Sequence, residues 1–315
     1  MFRLAHLSDV HLGPLPDVEY HQLVSKRALG YVNWHRNRRR FLHDSVIDSI
    51  VADMKAAEPD HIAVTGDLVN LALDIEIDMA RQWLTTLGDP EHVSVVPGNH
   101  DAYVPGALDK VCRAWGPWMT GDGEAIPADR RAFPYMRVRG DVALIGVSSA
   151  RATAPFMANG FFGEGQAHRL AKLLDHAAGR GLFRVVMIHH PPLRGAVSQY
   201  KRLFGIRRFQ NVIRRHGAEL VLHGHSHLPS TGAIVGPGER EVPVIGVAAA
   251  GQAPGGIHPA AQFNILEISG KPERWSVRLV RRGLTGMALP PSELSAVDLY
   301  PAPHEATESV GLTEN

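Results

Sequence analysis

His92-Val93-Ser94-Val95-Val96-Pro97-Gly98-Asn99-His100-Asp101 is the stretch on which the reading of this fold turns. A short β-branched run, the right length for a buried strand, is stopped by Pro97 and Gly98. Three polar side chains able to bind metal or move protons follow at once. Four other stretches repeat this grammar. Phe2 to Leu7 precedes Asp9-Val10-His11, and His61 to Val64 precedes Gly66-Asp67-Leu68-Val69-Asn70. Arg184 to Ile188 precedes His189-His190-Pro191-Pro192, and Leu220 to Leu222 precedes His223-Gly224-His225-Ser226-His227. Strands that each end in chemistry place that chemistry along one carboxyl edge of a sheet.

Helical periodicity fills the intervals. Leu42, Val46, Ile50 and Met54 recur every fourth residue, as do Met79, Trp83 and Leu87 before Gly88; Leu170, Leu173, Leu174 and Ala177 lead to Gly179. Alternating strand and helix predicts an α/β fold containing a parallel sheet with crossover helices. Beyond Arg240 the runs Val242 to Val247, Phe263 to Ile268 and Trp275 to Val280 have no strong helix between them, which predicts a second, largely antiparallel sheet. The expected organisation is one domain over 1–287, with a basic, aromatic insertion at about 20–41 and a Pro-rich tail over 288–315.

The chain has 315 residues, 44% of them apolar, enough for a substantial core. Its formal charge of +1 gives no strong nucleic-acid signal. The single cysteine, Cys112, cannot form an intramolecular disulfide and excludes a thiolate cluster; it reads as a buried small hydrophobe. The N-terminus runs directly into strand without a signal-peptide pattern, and no apolar stretch approaches a membrane span, so a cytoplasmic protein is expected.

The clusters supply carboxylates, an amide oxygen and imidazoles, a set suited to two divalent transition metals rather than to calcium or a structural zinc. In this order they resemble the calcineurin-like metallophosphoesterase superfamily, and in particular its class III cyclic-nucleotide phosphodiesterase branch. The resemblance spans residues 9 to 227. It implies a two-sheet β-sandwich flanked by helices, with mixed sheets. It also implies that Asp9, His11 and His227 hold one metal, that Asn99, His189 and His225 hold the other, and that Asp67 bridges them. A carboxylate can give one oxygen to each ion, an arrangement that suits in-line displacement. Two cations sharing a water would yield a hydroxide near neutral pH, and His100 would stabilise the transition state and protonate the leaving alkoxide. The ions could be Mn, Fe, Zn or Co. In relatives a carboxylate often orients the acid; Asn70 stands at that position here, leaving Asn70 and Asp101 as candidates.

Other histidines read differently. His6, His43, His92, His168 and His216 are expected in core or surface roles, His190 as a pocket or packing residue, and His223 as facing the sheet or supporting a ligand. Gly66, Gly98 and Gly224 are expected where the backbone must turn to aim a side chain inward. Of the basic segments, Lys26, Arg27, Arg36, Arg38, Arg39 and Arg40 offer a solvated rim, a phosphate-binding wall or a peripheral contact with anionic lipid. Arg194, Lys201 or Arg202 is expected to form part of the pocket lip.

The expectation is therefore hydrolysis of a small phosphoester, specifically a phosphodiester such as a cyclic nucleotide. A lipid-nucleotide pyrophosphatase or phosphomonoesterase is the alternative, since one fold serves all three. The lipid reading has His100 against it, because relatives acting on nucleotide-activated lipid A precursors typically carry arginine there. A non-enzymatic scaffold would be expected to have lost ligands, and none is missing. Oligomeric state is not legible.

Overall fold

A computed structural model describes residues 1–15, 23, 26–34, 44–126, 129–287 and 289–300. The chain begins with β1 (Phe2–Leu7), α1 (Lys26–Asn33), α2 (Asp44–Ala56), β2 (His61–Val64), α3 (Asp74–Leu87) and β3 (Val93–Val95). It continues through α4 (Ala107–Ala114), β4 (Tyr135–Arg139), β5 (Val142–Gly146), β6 (Gly160–Phe161), α5 (Glu164–Gly179), β7 (Phe183–Met187) and β8 (Leu203–Phe204). Last come α6 (Ile206–His216), β9 (Leu220–His223), β10 (Ser230–Val235), β11 (Glu241–Gly246), β12 (Gln262–Ser269), β13 (Ser276–Gly283) and β14 (Ser292–Tyr300).

Two six-stranded mixed sheets form the sandwich, ordered β14-β13-β12-β1-β2-β3 and β10-β11-β9-β7-β5-β4, with β6 and β8 as a small separate pair. This is the α/β architecture of two mixed sheets flanked by helices. The expectation of one parallel and one antiparallel sheet is corrected. The parallel strands are divided, β1-β2-β3 in one sheet and β5-β7-β9-β11 in the other. The late strands are divided too: β11 extends the second sheet in parallel, whereas β12 pairs antiparallel with β1.

Period-two alternation explains how one sheet serves two layers. Leu144, Val185, Met187, Leu220 and Leu222 join the core shared with the first sheet and with α2, α3 and α4. Their neighbours Ile145, Val186, Ile188 and Val221 face the other way, packing with Leu170 and Leu174 of α5 and Phe209 and Ile213 of α6. Arg281 of β13 ties the sheets together from within, donating to the carbonyls of Gly246 and Ser230, each at 2.9 Å.

Ser292–Tyr300, read from sequence as part of a tail, is an edge strand paired antiparallel with β13. Tyr300 Oη donates to Glu219 O at 2.8 Å. Residues 301–315 lie outside the described residues, as do Arg36, Arg38, Arg39, Arg40 and His43. Cys112 is buried in α4, and burial pushes its thiol up to about 12. Among the described residues no helix is long and apolar enough to cross a membrane.

Candidate metal centre

The loops after β1, β2, β3, β7 and β9 meet at one edge of the sandwich. Backbone hydrogen bonds lock them together: Asp9 N–H donates to Gly66 O at 2.9 Å, His11 N–H to Asp67 O at 3.0 Å, and Gly224 N–H to His189 O at 3.1 Å. Asp9, His11, Asp67, His225 and His227 all have left-handed backbone, with φ between 46° and 65°. Each such residue is strained by on the order of 1–3 kcal/mol, strain that is tolerated where a side chain must be aimed.

The glycines have two separate reasons for being glycine. Gly66 takes φ of 96°, as expected of a turn. Gly98 and Gly224 do not have positive φ; their requirement is room. A Cβ at Gly98 would strike Asp67 Oδ1, and one at Gly224 would strike Ser8 Oγ and Asp9 Oδ2.

Among the described residues, four groups of potential ligand atoms each lie within 4.8 Å of one another: Asp9, His11 and His227; His11, Asp67 and His100; Asp9, Asp67 and His189; and His189, His190 and His225. His227 Nε2 is 3.1 Å from Asp9 Oδ1, and His189 Nε2 is 3.3 Å from Asp67 Oδ2 and 3.2 Å from Asn99 Oδ1. His11 Nε2 approaches the same Asp67 Oδ2 at 3.9 Å. Asp67 Oδ1 is occupied, accepting from His100 N–H at 2.7 Å. One oxygen, Oδ2, therefore faces both half-sites, rather than one oxygen facing each as expected from sequence.

A carbonyl can only accept, so it assigns the proton on the imidazole bonded to it. His11 Nδ1 donates to Val69 O at 3.1 Å and His189 Nδ1 to Thr65 O at 2.7 Å, turning both Nε2 atoms toward the carboxylates. His225 Nε2 donates to Lys201 O at 2.9 Å, leaving Nδ1 as its lone-pair atom. His190 also clusters with His189 and His225, but both its nitrogens are engaged: Nδ1 with Ser149 Oγ at 2.7 Å and Nε2 with Ala158 O at 3.1 Å. It packs and has no lone pair to give.

The charge balance calls for cations. Asp9 and Asp67 are buried, and Asp9 Oδ1 faces His227 Nε2 at 3.1 Å. Burial works against both carboxylates, yet the surrounding imidazoles hold both below the ordinary aspartate value. Burial likewise works against a charged His189, but Asp67 and Asp9 prevail and raise it to about 9. Negative charge that favours a proton at that nitrogen favours a divalent ion in its place. His6 and His223 lie deeper, lowered by burial to about 3 and about 4. His6 bonds Thr65 Oγ1 and Asn264 Nδ2 at 3.0 and 3.2 Å, and His223 bonds Gly224 O at 3.0 Å, so both have supporting roles.

His100 stands beside this centre. Its Nδ1 donates to the backbone carbonyl of Asn70 at 2.6 Å. The ring stacks on Tyr103, with centroids 5.4 Å apart, and meets His11 edge-on at 4.8 Å. Tyr103 escaped sequence reasoning, since an aromatic three residues beyond a motif carries no distinguishing pattern. Asp101 orients loops rather than His100: Oδ2 accepts from Asp67 and Gly98 N–H at 2.8 and 2.7 Å, and Oδ1 from Leu68 and Val69 N–H at 2.9 and 3.3 Å.

A cleft of about 490 Å³ opens over the centre, bounded by Asp67, Asn99, His100, Lys26, Lys201 and Tyr200. Of the three alternatives for its lip, Lys201 is the one that lines it; Arg194 and Arg202 line a neighbouring groove. Lys26 donates to Thr153 Oγ1 at 2.7 Å and Met157 O at 2.8 Å, while Arg27 reaches the carbonyls of Leu71 and Ala72. These two cations anchor α1 to the site instead of forming a solvated rim.

A two-sheet sandwich whose strand ends gather aspartates and histidines suited to a pair of divalent ions defines a metal-dependent hydrolase. The chain belongs to the calcineurin-like phosphoesterase family, whose sequence profile matches residues 2–229. No curated protein matches it by sequence. The fold is similar to that of a dimetal phosphatase from Danio rerio, with a TM-score of 0.59 at 14% identity, covering 96% of this chain and 99% of that one. It is also similar to a purple acid phosphatase from yellow lupin (Lupinus luteus) seeds, with a TM-score of 0.54 at 14% identity. That match covers 90% of this chain but 51% of the lupin protein.

Proposed function

We propose that the protein hydrolyses a phosphodiester, a cyclic nucleotide being the small-molecule instance, with His100 as general acid. The observation that carries this reading is the anchoring of His100. Its Nδ1 donates to Asn70 O, which fixes the ring at the wall of the cleft that the buried carboxylates share, where a positioned imidazole can deliver a proton. An alkoxide leaving group needs such a proton, and a positioned histidine contributes about 10²–10⁴-fold in rate.

Asp9, His11 and His227 would hold one divalent ion and Asn99, His189 and His225 the other, with Asp67 contributing to both. When bound, such ions would supply Lewis acidity and lower the pKa of a shared water. Asn99 contributes an uncharged oxygen, limiting the negative charge that an anionic substrate meets. Lys26 and Lys201 add positive charge at the cleft wall.

Exposed Leu29, Phe156 and Tyr200 border the same cleft. They favour a substrate with an aromatic or apolar portion, which a lipid-linked nucleotide also has. Turnover of bis-p-nitrophenyl phosphate, p-nitrophenyl phosphate, cyclic nucleotides and a nucleotide-linked lipid, each with manganese, iron, zinc or cobalt, tests the reading. Preference for diester over monoester is expected; a monoester preference, or no turnover with any metal, would overturn it.

A further inference from the structure

A net charge of +1 conceals a one-sided segment. Between Pro192 and Glu219 lie seven Lys or Arg residues and no Asp or Glu. Four have local tasks or positions that explain them. Lys201 lines the catalytic cleft, and Arg208 donates to Phe162 O at 2.8 Å. Arg214 pairs with Glu239 at 3.0 Å, and it and Arg215 occupy the last turn of α6, where cations offset the helix dipole. Arg194, Arg202 and Arg207 remain, all exposed and none in an ion pair among the described residues.

Those three converge on one place. They line a groove of about 590 Å³ together with Gln199, Phe204 and Gly205. Arg202 lies over the Phe204 ring, its carbon 4.7 Å from the centroid. The groove also receives the start of α6, whose first turn contains no acidic side chain. Like charges gathered without acids repel one another, and the contact with Phe204 accounts for Arg202 alone of the three.

The groove adjoins the catalytic cleft. Ser198, Tyr200 and Lys201 line the cleft, while Val197, Gln199 and Arg202 line the groove. The segment from 197 to 202 is thus a wall one chain thick between the two. It is held in place by Ala158 N–H donating to Tyr200 O at 2.9 Å and Gly160 N–H donating to Arg202 O at 3.2 Å. Exposed Tyr200 offers an aromatic face on the cleft side of this wall.

We propose that the arginine groove is a second anion subsite, which takes backbone phosphates of a single-stranded oligonucleotide whose scissile phosphodiester lies in the catalytic cleft. Alternating cations and aromatic faces on an acid-free surface suit such a strand: arginines track the backbone while bases stack without sequence preference. This rests on the phosphodiesterase reading above and extends its substrate from one phosphate to several.

The test compares wild-type holoprotein with R194A/R202A/R207A, and with single R207E in case the triple variant misfolds. Turnover of bis-p-nitrophenyl phosphate, which cannot reach the groove, reports folding and the cleft. Hydrolysis of dodecathymidylate and anisotropy of its fluorescein-labelled form, across a salt series, report the groove. The triple variant should keep bis-p-nitrophenyl phosphate turnover, raise the oligonucleotide KM about tenfold or more, and reduce the slope of log affinity against log salt by about two. R207E should weaken the oligonucleotide in the same direction. Equal oligonucleotide affinity in wild type and variants, or no oligonucleotide binding by wild type, overturns the subsite. If wild type turns over no diester at all, the hydrolase reading fails, while the anisotropy titration still decides the groove.

Discussion

Asn70 holds His100 with its main chain: the carbonyl oxygen lies 2.6 Å from Nδ1, while the Asn70 side chain turns away to donate to Leu12 O at 2.9 Å. The position where relatives often carry an orienting carboxylate therefore acts through an atom that every residue possesses. What fixes that carbonyl is Glu76, which accepts from Asn70 N–H at 2.9 Å and from Leu71 and Leu73 N–H at 3.0 Å each.

Two substitutions separate these roles. Asn70→Ala retains the carbonyl and should change kcat by less than about threefold, with stability falling by about 1 kcal/mol for the lost side-chain bond. Glu76→Ala frees the loop and should lower kcat for alkyl diesters more than it alters KM. A larger kcat loss in Asn70→Ala than in Glu76→Ala would show that the side chain, not the carbonyl, positions His100.

His100→Ala should discriminate between leaving groups. A proton donor matters for an alkoxide and little for p-nitrophenolate, so the loss should be about 10²–10⁴-fold for an alkyl diester and much smaller for bis-p-nitrophenyl phosphate. Equal losses on both substrates would remove the general-acid role.

Asp101 binds four backbone N–H groups from two ligand-bearing loops. Burial and neighbouring Asp67 push its carboxyl up to about 7, although all four contacts require an acceptor. Asp101→Asn places an NH₂ group against N–H donors and should destabilise the fold on the order of 3 kcal/mol, with weakened metal binding. Thermal unfolding with and without added metal measures both; an unchanged Tm would refute this role.

Room at Gly98 and Gly224 can be tested against an open glycine. Gly98→Ala and Gly224→Ala drive a methyl into Asp67 and Asp9 and should abolish activity through loss of metal. Gly179→Ala meets nothing within 4 Å and should behave as wild type. Metal content by atomic absorption, compared across the three, gives the answer independently of turnover.

Chelation should lower Tm, because ions that bind only the folded state stabilise it by about 4 kcal/mol at 1,000 times Kd. Adding back manganese or zinc should restore Tm in step with activity. A Tm indifferent to chelator would mean that the buried carboxylates do not hold the metal.

Burial lowers Lys26 to about 8, with Asp67 opposing the shift. Above that pH the lysine loses its proton and, with it, its attraction for an anionic substrate, so kcat/KM should fall as pH rises through about 8. Lys26→Met should lower the plateau and remove this limb. A limb that persists in the variant would belong to another group.

Sequence by itself determined the pieces whose information is local. Strand and helix periods placed β1, β2, β7 and α3 to within a residue or two at most boundaries, because alternation and 3.6-residue spacing are written in neighbouring side chains. The candidate ligands Asp9, His11, Asp67, Asn99, His189, His225 and His227 were likewise visible, as short polar motifs directly after strands. Tertiary structure decided everything that depends on distant partners. Division of the parallel strands between two sheets follows from which edges pair, and β12 reaches β1 across more than 250 residues. The holder of His100 proved to be a carbonyl, invisible in residue identity, and Asp101 proved to be a clasp for loops far from it in the chain. The acid-free groove emerges only when Arg194, Arg202 and Arg207 share one surface, because charge summed along a chain cancels whereas charge gathered in space does not.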